Sequence, residues 1–206
     1  MNKKTLIQCI LIGISTMLMI GIVRADAPID GRAGRAEIRF LQGMIDHHQM
    51  ALDMANDCLV NAQTEAVRTL CEAIITAQSA EIAQMQAWLL DWYQIEYVPM
   101  SMQEMQAMMP PQNQGHMGGM HGGHNEHRDP PMMMGMMAGL SRLQGNDYEI
   151  AWLEAMIDHH DDALHMSERI LHRAQHEPLI ALAQAIISAQ TAEIEYMEAL
   201  IIQLSA

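Results

Sequence analysis

Apolar residues recur at spacings of three and four along two stretches of the chain. The first carries Leu41, Ile45, His48, Leu52, Ala55 and Leu59, and the second Leu153, Ile157, His160, Leu164, Ser167 and Leu171. Each is one face of an amphipathic helix. A second arm follows in each case. Val67, Cys71, Ile74, Gln78, Glu81, Met85 and Trp88 form one, and Leu179, Ala183, Ile186, Gln190, Glu193, Met197 and Leu200 the other. Turns are predicted near 61–64 and 175–178. Pro178 suits the first position of a helix, where its missing N–H costs nothing. Each unit therefore reads as an αα-hairpin.

The two units are copies of each other. A shift of 112 residues lays 40–92 over 152–204 without a gap, and 24 of those 53 positions are identical. Met44-Ile45-Asp46-His47-His48 lies over Met156-Ile157-Asp158-His159-His160. One hairpin cannot cover its own apolar face, but two can. The expected fold is all-α: a four-helix bundle of two tandem hairpin repeats with an internal pseudo-two-fold. The expected organisation is a signal peptide at 1–25, a first repeat at 26–97, a connector at 98–140 and a second repeat at 141–206. The two repeats are expected to form one bundle domain.

The residues that break the apolar pattern carry the candidate chemistry. His47, His48, Gln78, Glu81, Met44 and Met85 face inward in the first copy, as do His159, His160, Gln190, Glu193, Met156 and Met197 in the second. With the first turn centred near residue 63, antiparallel arms place His48 opposite Gln78 and Met44 opposite Glu81. Each hairpin should then carry its own layer of imidazole, thioether and carboxylate, a soft-to-borderline metal site. A structural role competes equally: His48 would donate to Glu81 and fix the register between arms. Tandem histidines also point about 100° apart on a helix, so they need not serve one ion. Cys58 and Cys71 should face each other across the first hairpin, as a disulfide in an oxidising compartment or as a thiol pair for a soft metal. The second copy has Ile170 and Ala183 there.

Composition sharpens this picture. The chain is 50% hydrophobic and 17% charged, which excludes a disordered chain, and 4% aromatic, which argues against an all-β sandwich. Residues 1–25 read as a secretory signal: Lys3 and Lys4, an apolar run over 6–23, then Val23-Arg24-Ala25 as a cleavage site. An uncleaved anchor is the alternative. Beyond it, eight basic residues face 25 acidic ones and no lysine remains. Such a charge repels nucleic acid and anionic lipid, so membrane association is expected only through the signal or anchor. The predicted location is the periplasm.

The chain has 22 methionines, and twelve of them lie within residues 100–137, beside four histidines. Pro110-Pro111 and Pro130-Pro131 break any helix there, and glycine pairs loosen the middle. Such a connector has no core to fill. His116, Met117, Met120, His121, His124 and His127 lie close enough in sequence for a flexible loop to wrap one ion. Thioether with imidazole selects Cu(I), with Ag(I) as a mimic.

Phe-Leu-x-x-Met-Ile-Asp-His-His followed by Ala-Gln-x-x-Glu-Ile-x-x-Met resembles the bacterial domain-of-unknown-function 305 family of ferritin-like helical bundles. With an export signal and a Met/His-rich segment, the chain is similar to its periplasmic copper-binding members of the CopM type. The resemblance implies copper sequestration for resistance, or delivery to an efflux or chaperone partner. Carried over by position, it implies sites at Met44, His47, His48, Gln78, Glu81 and Met85, and at Met156, His159, His160, Gln190, Glu193 and Met197. A di-iron or copper oxidase is the enzymatic rival. Di-iron bundles need Glu-x-x-His pairs, but here Glu81 is followed at that spacing by Gln84 and Glu193 by Tyr196. No nucleophile–base set is evident, so a non-enzymatic copper binder is the expectation. A helical partner-binding module is the other rival.

Overall fold

A computed structural model of the chain describes residues 27–101, 104, 107 and 139–206. The signal at 1–25 and the candidate ligands His116, Met117, Met120, His121, His124 and His127 lie outside the described residues. Four long helices account for the fold: α1 (Gly31–Asn61), α2 (Glu65–Tyr93), α3 (Gly145–Leu171) and α4 (Glu177–Leu204). Among the described residues there are no strands. None of these helices is long and apolar enough to cross a membrane.

The hairpins form as the periodicity predicts. α1 packs on α2, α3 packs on α4, and the two hairpins meet along α1 and α3. Pro178 occupies the second position of α4, one later than predicted and still within the turn whose N–H groups need no helical partner. The register between arms differs from the expectation. His48 meets Glu81, and Cys58 meets Cys71, so each residue of α1 faces one three positions further along α2 than a turn centred near residue 63 implies. Ala62 and Thr64 are extended. The linker thus carries the chain past the end of α1 before α2 turns back, by about 4.5 Å at the helical rise. Met44 is therefore level with Met85, not with Glu81.

Two apolar clusters fill the bundle. One joins Met50–Cys58 and Val67–Ile74 to Tyr148–Met156 and Met197, and the other joins Ala36–Ile45 and Ile82–Trp92 to Ala163–Ile170 and Leu179–Ile186. The first half of α1 thus shares a cluster with the second half of α3, so these two helices run antiparallel. The histidine pairs lie between the clusters, at the midpoint of the seam.

Both ends are tied by acids that the periodicity did not single out. Glu37 and Glu149 are equivalent under the 112-residue shift, and each caps a helix of the other hairpin. Glu37 Oε1 accepts from the backbone N–H of Gln175 (2.7 Å) and His176 (3.1 Å) before α4. Glu149 Oε1 accepts from Gln63 and Thr64 N–H before α2, both at 2.6 Å. Free N–H groups and the positive end of the helix dipole make these natural carboxylate seats.

Candidate metal centre

Four imidazoles form a row across the middle of the bundle. At one end His48 Nε2 lies 2.6 Å from Glu81 Oε2, and at the other His160 Nε2 lies 2.7 Å from Glu193 Oε2. Between them the rings of His47 and His159 meet across the α1–α3 seam, with centroids 3.6 Å apart and planes tilted by 36°. The 100° step between tandem histidines explains this split: one ring of each pair turns to its own hairpin and the other to its partner. The expectation of one separate layer per hairpin is thereby corrected. The two layers merge into one, because the antiparallel seam brings His47 and His159 to the same level.

With the carboxylates as acceptors, Nε2–H of His48 donates to Glu81 and Nε2–H of His160 to Glu193. His159 Nε2 likewise donates to the His47 carbonyl at 3.0 Å. The Nδ1 atoms of His48, His159 and His160 are all buried without a partner, as are both ring nitrogens of His47. The mirror contact, from His47 to the His159 backbone, falls outside hydrogen-bond geometry. Buried polar atoms are normally paired, so orphans grouped in one layer call for an explanation.

Burial pushes the His47 and His159 imidazoles well below the usual histidine range, and the neighbouring histidines push the same way. Both are therefore neutral and unprotonated at one nitrogen at neutral pH, the form a metal requires.

The remaining candidates sit close by. Met44, Met85, Met156 and Met197 are fully buried. Met44 and Met156 precede the paired histidines by about one turn. Gln78 and Gln190 are buried one turn before Glu81 and Glu193, and Gln78 Nε2 and Oε1 and Gln190 Oε1 have no partner. Among the described residues, no group of three or more His, Cys, Asp or Glu side chains is arranged as a ready metal cage. Donors beyond the imidazoles would have to be thioethers, or would require the rings to turn. Cys58 and Cys71 are joined in a disulfide, with Cα atoms 6.4 Å apart, and are not thiol donors.

Residues the sequence reading passed over complete the surroundings. Tyr97, in the chain leaving α2, donates from its hydroxyl to Asp46 Oδ2 at 2.5 Å, next to His47. At one end of the bundle Trp92 stacks between Trp88 and His176, with centroids 5.0 and 3.8 Å away. His176 Nδ1 donates to Glu37 Oε2 at 2.5 Å, which makes this histidine a structural one.

The family described as domain of unknown function (DUF305) matches residues 37–201, which include both hairpins and the whole histidine row. The chain belongs to this family. No curated protein sequence matches it. Among solved structures it is similar to a DUF305 fragment from Deinococcus radiodurans, with 31% identity, 82% of this chain and 96% of that one covered, and a TM-score of 0.60. A putative secreted DUF305 protein from Streptomyces coelicolor is similar at 25% identity, covering 83% and 93%, with a TM-score of 0.62. CopM in its Cu(II)-bound form is similar at 27% identity, covering 81% and 96%, with a TM-score of 0.60.

Proposed function

We propose that this DUF305 protein binds copper as cargo, with the central histidine row as the bundle's seat for Cu(I). The carrying observation is the set of buried imidazole nitrogens that have no hydrogen-bond partner. Three of the four imidazoles give their other N–H to a fixed acceptor, a carboxylate or a carbonyl, as metal-ligating histidines commonly do. Buried thioethers a turn away make the surroundings soft, which favours Cu(I) over zinc or magnesium. The likeness to CopM, solved with Cu(II) bound, supports copper as the metal.

In this reading the protein is exported to the periplasm and does not turn over a substrate. The Met/His-rich residues 100–137 capture Cu(I) or Cu(II), and Ag(I) as a mimic. The metal is then held for resistance or passed to an efflux or chaperone protein. The chemistry of these residues supports the reading, because thioethers need no deprotonation and work where thiols would be oxidised.

One observation favours a second reading. His48–Glu81 and His160–Glu193 are already satisfied pairs between arms, as a purely structural layer would have. Titration with Cu(I) against a competing chelator, of the whole chain and of a folded variant lacking residues 100–137, separates the two. Uptake by the variant lacking residues 100–137 is expected if the row binds copper, and none if the row is a structural layer.

A further inference from the structure

The two ends of the histidine row are equivalent by sequence repeat but not equally exposed. The Glu81 side chain is 23% exposed, whereas that of Glu193 is 4% exposed. Their histidine partners, His48 and His160, are both fully buried. An ion or reagent coming from solvent can therefore meet a row carboxylate at the Glu81 end.

The local sequence shows what differs. Residues three and four apart on a helix are surface neighbours. Around Glu81 these are Ala77, Gln78, Gln84 and Met85, and around Glu193 they are Ala189, Gln190, Tyr196 and Met197. Three of the four are identical, and only Gln84 and Tyr196 differ. Gln84 is exposed. Tyr196 is partly buried and packs against the cluster containing Met156 and Met197. Burial also pushes its hydroxyl above the usual tyrosine range. A half-buried phenol ring thus stands one turn from Glu193 where an exposed amide stands one turn from Glu81, and the difference in bulk accounts for the difference in exposure.

We propose that the histidine row has a single mouth, at Glu81, and that Tyr196 closes the opposite end. The inference rests on the copper reading for its purpose: the acidic mouth attracts the cation, and the closed end makes loading and release run through one side. The geometry itself can be tested without metal. Diethyl pyrocarbonate acylates accessible unprotonated imidazoles, and the sites can be mapped by peptide mass spectrometry on the full metal-free chain.

His48 should be modified several-fold faster than His160. Tyr196→Gln should raise the His160 rate to that of His48, and Gln84→Tyr should lower the His48 rate. Both positions lie at or near the surface, and circular dichroism checks that each variant is folded. Equal rates in the wild-type protein, or no response to either substitution, overturn the single mouth. In a parallel assay with Cu(I), Gln84→Tyr should slow uptake into the bundle and Tyr196→Gln should not. If the wild-type chain takes up no Cu(I), the copper reading fails, while the acylation result still decides the mouth.

Discussion

The rings of His47 and His159 lie 3.6 Å apart across the seam between the two hairpins. They are equivalent residues of the two repeats, brought together by antiparallel α1 and α3. The His47 ring makes no hydrogen bond, and the His159 ring uses only its Nε2–H. Together with His48 and His160 they make a polar row between the two apolar clusters, with a carboxylate at each end. A core chosen for stability alone would fill this level with leucine, since an unpaired buried polar group costs free energy.

The end carboxylates should not be energetically equal. Glu193→Leu leaves the buried His160 Nε2–H without an acceptor, at a cost of about 1–3 kcal/mol. Glu81→Leu should cost less, because water reaches that end. Urea denaturation of the metal-free protein measures both, and a larger loss for Glu81→Leu would contradict the assigned exposures.

The disulfide should staple the first hairpin only. Cys58 and Cys71 are separated by 13 residues. Closing a loop of that size removes unfolded-chain entropy worth about 3 kcal/mol in the loop-entropy description. The double variant Cys58→Ala, Cys71→Ala should lose stability on that scale. Added reductant should then shift the urea midpoint of the wild type and leave the double variant unchanged.

Trp152 tests the repeat itself. Its Nε1–H donates to the Met54 carbonyl at 2.9 Å, inside the core. The equivalent position in the first copy is Phe40, which makes no such bond. Trp152→Phe should therefore be tolerated, with a loss of about 1–2 kcal/mol from the bond and the reduced ring. Trp152→Ala should cost about 3–5 kcal/mol.

Much of this architecture was legible in the sequence, and the misses share a cause. The repeat and the 3.6-residue period give the hairpins, the inward faces and the facing cysteines. The register slipped by three residues because a symmetric turn was assumed where the linker is extended. The contact of His47 with His159 is not visible in the sequence, because pairing arithmetic stays within each hairpin. Glu37 and Glu149 were missed although the repeat extends to them: Glu37-Ile38 lies over Glu149-Ile150. A buried acid shortly before an apolar face, repeated at the same shift, is the signal that would have found them.

The Glu37 cap gives a pH dependence with a definite sign. Burial raises its carboxyl, but hydrogen bonds from Gln175, Tyr93 and His176 outweigh this and hold it below the ordinary value of 4.5. A group lowered on folding adds stability above its unfolded value, and that stability is lost as pH falls through the folded value. Acidification below 4.5 should therefore weaken the wild type more steeply than Glu37→Gln. Parallel thermal melts between neutral and acid pH measure the difference, and identical slopes would contradict the cap.

The central claim concerns the histidine row, and its most direct test is the number of Cu(I) ions retained under chelator competition. The wild-type chain should be compared with the variant carrying His47→Gln, His48→Gln, His159→Gln and His160→Gln, with circular dichroism confirming that both are folded. The account predicts that the variant retains fewer ions than the wild type while residues 100–137 continue to bind. An unchanged ion count in a folded variant would contradict it and leave the row as a structural layer.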